Sequence, residues 1–387
     1  MELRRDRQPH GRLVNCTGGY RAYVPAPLPP PLTWSEALMV GLSAADRAIG
    51  RLAGEGRRLP NPHLLIRPFV RKEAVLSSRI EGTQATLGEL LAAEAGAAVE
   101  RSPADLREVG NYVVALEYAL ERLETLPMSL RLVREMHECL MRGVLGDAST
   151  PGEFRRSQNW IGAPGCTLNE ATYVPPPPSD LMPCLGAWES FLHDDTLPPL
   201  VHAALVHAQF EAVHPFLDGN GRVGRLLITL LLVTRGVIPS PLLYLSAYFE
   251  ATREQYYARL LGVTAEGEWE EWLVYFLKGV ELQSEDAVER IQRLDALLER
   301  WKDELTGERS RLPERALDLF FENPFWTVGG VAERLGSAFT TAQRAIDRLE
   351  AIGVLARVGE RRRNRVYCAD AILDVLEEPP ALVGGGP

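Results

Sequence analysis

Apolar residues return at three- and four-residue steps along most of this chain, and that period confines it to a mainly helical fold. Leu38, Leu42, Ala45, Ile49 and Leu52 make one stripe, and Leu130, Val133, Met136, His137 and Leu140 make another. Such a stripe is the buried face of an amphipathic helix. The period predicts helices from Ser35 to a stop at Gly54 and Gly56, then over Pro68–Arg79, Thr86–Glu94, Asp105–Glu124 and Ser129–Arg142. It resumes over Leu181–Leu192, Leu200–Ala212, Asn220–Arg235, Ser246–Val263, Trp269–Leu282 and Ser284–Leu305. It lapses where prolines gather. Five fall between 25 and 31 and read as an extended arm; four at 175–178 close a Gly- and Asn-rich stretch from Pro151, which reads as a long loop or hairpin.

A chain of 387 residues with 46% hydrophobic content can bury two or three cores, so disorder throughout is excluded. A net charge of −10 argues against a whole-chain nucleic-acid coat. Cys16, Cys139, Cys166, Cys184 and Cys368 form no CxxC pair, which points to reduced thiols of a cytoplasmic protein rather than a disulfide framework or zinc knuckle. The N-terminal charges are followed by no apolar stretch, so no secretory signal is expected. The longest apolar run, Leu226 to Val233, falls far short of the roughly 20 residues that span a bilayer, so no membrane partner is expected.

The character changes near Leu312. Helical patterns over Val328–Leu335 and Thr340–Ile352 flank a turn. Val354–Val358 and Val366–Tyr367 then flank the run from Glu360 to Arg365, which holds four arginines and one glutamate. Helix, turn, helix and two strands joined by a basic loop outline a winged helix.

The densest chemistry lies between two apolar helices, from His214 through Pro-Phe-Leu to Asp218, Gly219, Asn220, Gly221 and Arg222, then Val223, Gly224 and Arg225. Gly-Asn-Gly at a helix start leaves backbone N–H groups converging on an anion. Arg222 and Arg225, three apart, share one helix face and suit a polyphosphate. Asp218 is a hard carboxylate of the kind that holds Mg²⁺ beside phosphates. His214 can take a proton near neutral pH. Base, carboxylate, nest and guanidinium groups together describe in-line attack on a nucleotide phosphate.

This segment resembles the signature of the Fic family, HPFxDGNGRxxR, with every motif position filled. The resemblance implies transfer of AMP from ATP to a Ser, Thr or Tyr hydroxyl of a target protein or of the chain itself. His214 would deprotonate the hydroxyl and Asp218 would hold Mg²⁺. Gly219, Asn220, Gly221 and Arg222 would bind the α- and β-phosphates, with Val223 and Gly224 in the same ATP-binding stretch, and Arg225 would take the γ-phosphate. The phosphotransferase branch of the superfamily has Lys where this chain has Gly221.

Three further segments agree with the resemblance. Ser77 to Gly82, SSRIEG, is similar to the family's inhibitory motif, in which Glu81 would block the γ-phosphate site through Arg225. Pro151–Arg155, Asn159–Gly162 and Tyr173-Val174-Pro175 resemble the stretch around the family's flap. There a target segment would dock by strand addition, and Tyr173 would approach the nucleotide. Tyr256 and Tyr257 are similar to a tyrosine pair near the adenine, and Gln209 is a further polar candidate. The family analogy leans to a homodimer.

The implied plan is a Fic-type helical core with a small β-hairpin flap and a C-terminal winged helix-turn-helix. Its parts are an arm over 1–34, an N-terminal helical domain over 35–125, the core over 126–283, a linker helix over 284–311, the winged helix over 312–376 and a disordered tail over 377–387. Two other readings share these residues. One is a nucleotide-sensing regulator binding DNA through the winged helix. The other is removal of AMP from a modified protein, with Glu81 orienting water. DNA binding through Thr340–Leu349 and the wing would fall steeply with salt. A mobility-shift titration checks this, and no shift at low ionic strength would leave the module to protein docking.

Overall fold

The computed structural model describes residues 10–58, 62–144, 150–163, 165–307, 310–359 and 365–379. In chain order they form β1 (Gly11–Asn15), β2 (Arg21–Pro25), α1 (Glu36–Arg58), α2 (Pro62–Ile80), α3 (Leu87–Glu94), α4 (Pro103–Arg122) and α5 (Leu130–Leu140). Then come α6 (Pro178–Leu192), α7 (Pro199–Val213), α8 (Asn220–Thr234), α9 (Ser246–Ala251), α10 (Arg253–Ala265) and α11 (Trp269–Glu304). The chain continues with α12 (Leu312–Glu322), β3 (Phe325–Thr327), α13 (Val328–Leu335), α14 (Phe339–Ala351), β4 (Ala356–Val358), β5 (Val366–Cys368) and α15 (Asp370–Glu377). Two compact units result. The first comprises Met1–Ala48, Asn111–Val237 and Phe249–Glu281; the second comprises Ile49–Gly110, Ile238–Tyr248 and Leu282–Pro387.

In the first unit α7 is central. Its residues are buried on every side, His202, His207 and Gln209 included. A helix apolar all round is one enclosed by others, and α6, α8, α10 and β2 pack on it. Two indoles, which need acceptors when buried, tie neighbours to its backbone. Trp188 Nε1 donates to Val206 O at 3.0 Å, and Trp272 Nε1 to Ala204 O at 2.9 Å.

The start of the chain corrects the extended-arm expectation. β1 and β2 pair antiparallel from Gly11 opposite Pro25 to Asn15 opposite Arg21. Gly18 and Gly19 turn between them with φ of 109° and 82°, a region that glycine adopts without steric cost. Val24 packs with Leu181, Cys184, Leu185 and Val213, and Gln209 donates to Ala26 O at 2.9 Å. The prolines are real, but the strands before them are too short to show a period.

Helix boundaries also differ. α1 runs through Gly54 and Gly56. A Cβ on Gly56 would stand 2.6 Å from Leu242 Cδ1, so this glycine serves close packing rather than termination. The expected stretch from Ser246 breaks at Thr252. The two stretches meeting at Gln283 are one helix of 36 residues, α11, in which Gln283 and Ser284 are buried polar residues.

In the second unit the order α12–β3–α13–α14–β4–β5, with a sheet ordered β3–β5–β4, matches the winged-helix outline. Wing residues 360–364, tail residues 380–387 and the N-terminal residues 1–9 lie outside the described residues. The expected tail begins too early at 377: Glu377 ends α15, and Glu378 pairs with Arg293 at 2.5 Å. All five cysteines are free thiols. Among the described residues no helix is long and apolar enough to cross a membrane.

The second unit also carries a buried row of charge on α2. Arg71, Lys72 and Glu73 are only 5%, 5% and 4% exposed. Buried charges need partners, and two have them. Arg71 meets Glu94 at 2.7 Å, and Glu73 accepts from the Ser246 amide at 3.1 Å and from its hydroxyl. Lys72 Nζ sits 4.7 Å from the Tyr244 ring centroid and has no hydrogen-bond acceptor among the described residues. Burial, helped by the like charge of Arg290, pushes its pKa down to about 7. The unfolded chain, with a lysine pKa near 10.4, binds this proton more readily than the fold. The lysine's penalty is therefore largest below about pH 7 and fades as pH rises toward 10. Lys72→Met should accordingly melt above the wild type at pH 7, and the gap should narrow by pH 9.5. A gap independent of pH in melts across this range would contradict the assignment.

Candidate active site

The motif occupies the turn from α7 into α8. His214 caps α7 with φ of 49°, the one left-handed non-glycine among the described residues. Such a conformation persists only where its surroundings fix it, and here they do. Arg155 Nε donates to His214 O at 2.9 Å, and its NH2 reaches Pro176 O at 2.6 Å. Its NH1 donates to Ser157 O at 3.2 Å, and its own amide donates to Pro215 O at 2.9 Å. Asn159 Nδ2 adds bonds to His214 O at 3.3 Å and Phe216 O at 2.8 Å. Burial lowers the Arg155 pKa to about 10, so the group stays a cation and the carbonyl dipoles solvate it. The His214 Nδ1 lies 3.3 Å from Glu211 O, which favours the tautomer with its lone pair on Nε2, as a proton acceptor requires.

Beyond Pro215 a second histidine sets the loop. His137 of α5 stacks on Phe216 with ring centroids 3.7 Å apart and 4° between planes. Its Nδ1 accepts the Gly152 amide at 2.9 Å, so Nε2 carries the proton it donates to Asp218 O at 3.0 Å. Burial drives its pKa down to about 4, and the ring is neutral at pH 7. Asn220 closes the loop with its side chain, accepting the Phe216 amide and donating to Phe216 O, both at 2.8 Å. Of the phosphate-binding role expected for Asn220, only its backbone can take part.

Gly219 takes φ of 77°, a conformation that favours glycine, and a Cβ there would press on Met141 Sδ at 3.0 Å. Val223 N–H is the first in α8 to find a helical acceptor, Gly219 O at 3.0 Å. The amides of Asn220 and Gly221 thus stand at the positive end of the helix dipole, where an anion is favoured. The Asp218 side chain is 60% exposed, accepts the Gly219 amide at 2.6 Å and lies 3.6 Å from Arg222. No group of three or more metal-binding side chains occurs among the described residues. One open carboxylate beside a phosphate nest fits Mg²⁺, which prefers one or two carboxylates with substrate phosphates and water.

Several nominated residues prove to be framework. Val223 is fully buried. Gly224 is approached so closely by Glu211 that a Cβ would lie 2.4 Å from its Oε1. The Gly224 carbonyl accepts from His207 Nδ1 at 3.0 Å, which leaves His207 Nε2 to accept the Tyr256 hydroxyl at 2.8 Å. Burial lowers the His207 pKa to about 3, so it is a neutral link. Tyr256, 1% exposed, is therefore a strut for the start of α8, also close to Arg225 and Glu211. Its neighbour Tyr257 is 42% exposed, with the Arg253 guanidinium 5.8 Å from its ring centroid. Of the two tyrosines, only Tyr257 has an exposed ring. Arg222 and Arg225 are 3% and 2% exposed.

The flap is a single antiparallel bridge between Ile161 and Tyr173. The edge expected to dock a target is already occupied. Val174 O accepts the Tyr23 amide at 2.9 Å, and Pro175 O accepts from Gln158 Nε2 at 2.9 Å. The Tyr173 hydroxyl donates to Ala212 O at 2.6 Å, so this side chain braces the end of α7. Trp160 and Ile161 are large apolar flap residues that stand exposed, at 41% and 42%. Ser77 and Glu81 belong to the second unit. Ser77 is buried in α2, whereas Glu81 just follows the helix end, its amide donating to Ser78 O at 3.1 Å, and Gly82 turns with φ of 107°. Sequence reasoning passed over Arg155, Asn159, His137 and His207. The first two were visible only as parts of the flap stretch, and His137 only as one residue of a core stripe.

Residues 39–121 match the Fic/DOC family N-terminal model and residues 127–232 match the Fic/DOC family model. The chain is similar to the protein adenylyltransferase Fic of Drosophila virilis, at 35% identity over 168 residues, covering 41% of this chain and 32% of that protein. The Drosophila melanogaster protein of the same name is 34% identical over 168 residues, with coverages of 41% and 32%. The chain thus spans about a third of the length of the curated relatives it matches. Among solved structures, a Fic family protein from Desulfovibrio desulfuricans G20 shares the fold. Its TM-score is 0.59 at 20% identity, over 93% of this chain and 100% of that one.

The two tyrosines should separate cleanly. Tyr256→Phe leaves the buried His207 nitrogen without its donor and should cost about 1–3 kcal/mol of stability. Tyr257→Phe should stay within about 0.5 kcal/mol of the wild type. Denaturant midpoints of the two variants check this, and equal losses would contradict the division of roles.

Proposed function

We propose that this chain, a member of the Fic/DOC family, is a self-inhibited protein adenylyltransferase that moves AMP from ATP to a protein hydroxyl. One observation carries the reading: the complete run from His214 to Arg225 sits on a pinned turn, with its base, open carboxylate and helix-start amides on one loop. His214 Nε2 takes the proton of the target hydroxyl. The hydroxyl oxygen attacks the α-phosphorus, the bond to the β-phosphate oxygen breaks, and pyrophosphate leaves. The Asn220 and Gly221 amides hold the phosphate oxygens, and Arg222 and Arg225 neutralise charge that grows on the leaving group. Asp218 would hold Mg²⁺, which supplies charge neutralisation on the phosphates when bound. Tyr257 stacks on the base. A target segment is received at Trp160–Gly162, because the Tyr173–Pro175 edge is spent on the fold.

Glu81 is read as the brake, from the SSRIEG motif alone. A carboxylate competing for Arg225 would deny the γ-phosphate its partner and place like charge in its path. ATP, a hydroxyl-bearing protein and Mg²⁺ are thus the proposed partners.

The test is transfer of label from α-labelled ATP, with mass spectrometry of the products. Glu81→Gly should raise incorporation at least about tenfold, a change worth roughly 1.4 kcal/mol in barrier, and add one AMP per modified site. Adding His214→Ala should remove it by roughly 10²–10⁴-fold. No label on the Glu81→Gly protein or on any lysate protein would defeat the proposal.

A further inference from the structure

Within the second unit the C-terminal module does not stand apart: it is fastened to the helix that carries the SSRIEG motif. α12 packs along α2, α15 packs on α2 and α3, and β3 packs on α3. Polar contacts fix this docking at separate points. Arg67 of α2 meets Glu322 of α12 at 3.1 Å. Asn323, next in the chain, donates its Nδ2 to Leu91 O at the end of α3, at 3.1 Å. Glu377 of α15 accepts the Gly88 amide at 2.8 Å, and a Cβ on Gly88 would stand 3.2 Å from that carboxylate. Arg290 of α11 is held by Asp286 at 2.8 Å and donates to Val375 O in the last turn of α15 and, at 2.7 Å, to Glu378 O just beyond it.

α2 is an unusual helix to dock against. Its middle turn is the row Arg71, Lys72, Glu73, buried against Glu94, Tyr244 and Ser246. A helix enclosed this way cannot turn or slide without breaking buried polar contacts, each of which costs free energy when left unpaired. Densely packed interiors move between discrete arrangements rather than deforming smoothly. The position of α2, and of the turn at Glu81 and Gly82 that ends it, is therefore coupled to how firmly α12 and α15 are seated.

We propose that the C-terminal module is a latch whose partner is the chain's own α2. Seated, it holds the Glu81 turn in the inhibitory position; unseated, it releases it. This rests on the reading of Glu81 as the brake. Whatever loosens the face formed by α12, α15 and β3 then acts as an activator, with no contact to the nucleotide.

The experiment compares four full-length proteins by AMP incorporation from α-labelled ATP: wild type, Glu81→Gly, a latch variant, and the latch variant combined with Glu81→Gly. The latch variant is Asn323→Asp with Glu377→Ala. Asp at 323 keeps the acceptor that the Phe325 amide uses at 2.9 Å but loses the donor to Leu91 O. None of these positions belongs to the catalytic turn. Hydrogen exchange of the amides over 70–81 is read in parallel. The latch variant should raise incorporation about fivefold or more over wild type, within the range of ordinary allosteric couplings, and speed exchange in α2. The combined variant should match Glu81→Gly alone, because a released brake cannot be released again. If Glu81→Gly gives no rise, the brake reading fails and the latch fails with it. If Glu81→Gly is active but the latch variant stays at the wild-type rate, only the latch is overturned. It is equally overturned by unchanged exchange in α2, by a gain that multiplies on top of Glu81→Gly, or by a combined variant that loses the Glu81→Gly rate.

Discussion

The Arg155 guanidinium, 3% exposed, is the interaction on which the candidate site depends. It bonds carbonyls on both sides of the motif turn and on the flap, at His214, Pro176 and Ser157, while its own amide holds Pro215 O. A buried cation without partners would cost several kcal/mol. Here the carbonyls that need a donor in that turn are the ones that solvate it. The cost of the left-handed His214 is thereby met by a group whose alternatives are worse. The imidazole is presented from a backbone that cannot relax into α7.

A second layer orients the start of α8. His207 and Tyr256 connect Gly224 O to α10, and Asn220 locks both polar groups of Phe216. His137 clamps Asp218 O from α5 while its ring covers Phe216. Both histidines are held neutral by burial, so neither adds charge beside the start of α8. The amides at the helix start supply the positive field instead, without the desolvation cost of another cation.

The second unit shows the same economy on α2, where buried charges find partners on α3 and on the Tyr244–Ser246 segment. Such a helix is specified by its neighbours more than by its own period. The expected helix from Pro68 to Arg79 was accordingly too short, and α2 begins at Pro62. The same effect explains α11, where Gln283 and Ser284 sit inside a continuous helix although their polarity suggested a gap. Buried polar side chains interrupt a hydrophobic pattern without interrupting a helix.

The helical class, the His214–Arg225 run at a helix start and the order of helices and short strands after Leu312 were legible in the sequence alone. All of these are written in residues a few positions apart, where period, turn chemistry and motif spacing act. Tertiary structure decided what those residues do. It assigned Tyr256 to the frame and Tyr257 to the surface, spent the Tyr173–Pro175 edge on the hairpin and on Gln158, and recruited Arg155 and His137. Those assignments join residues 59, 81 and 49 positions apart, as in Arg155–His214, His137–Asp218 and His207–Tyr256. No local pattern encodes such pairs. They follow from which buried donor must find which buried acceptor once the helices have packed.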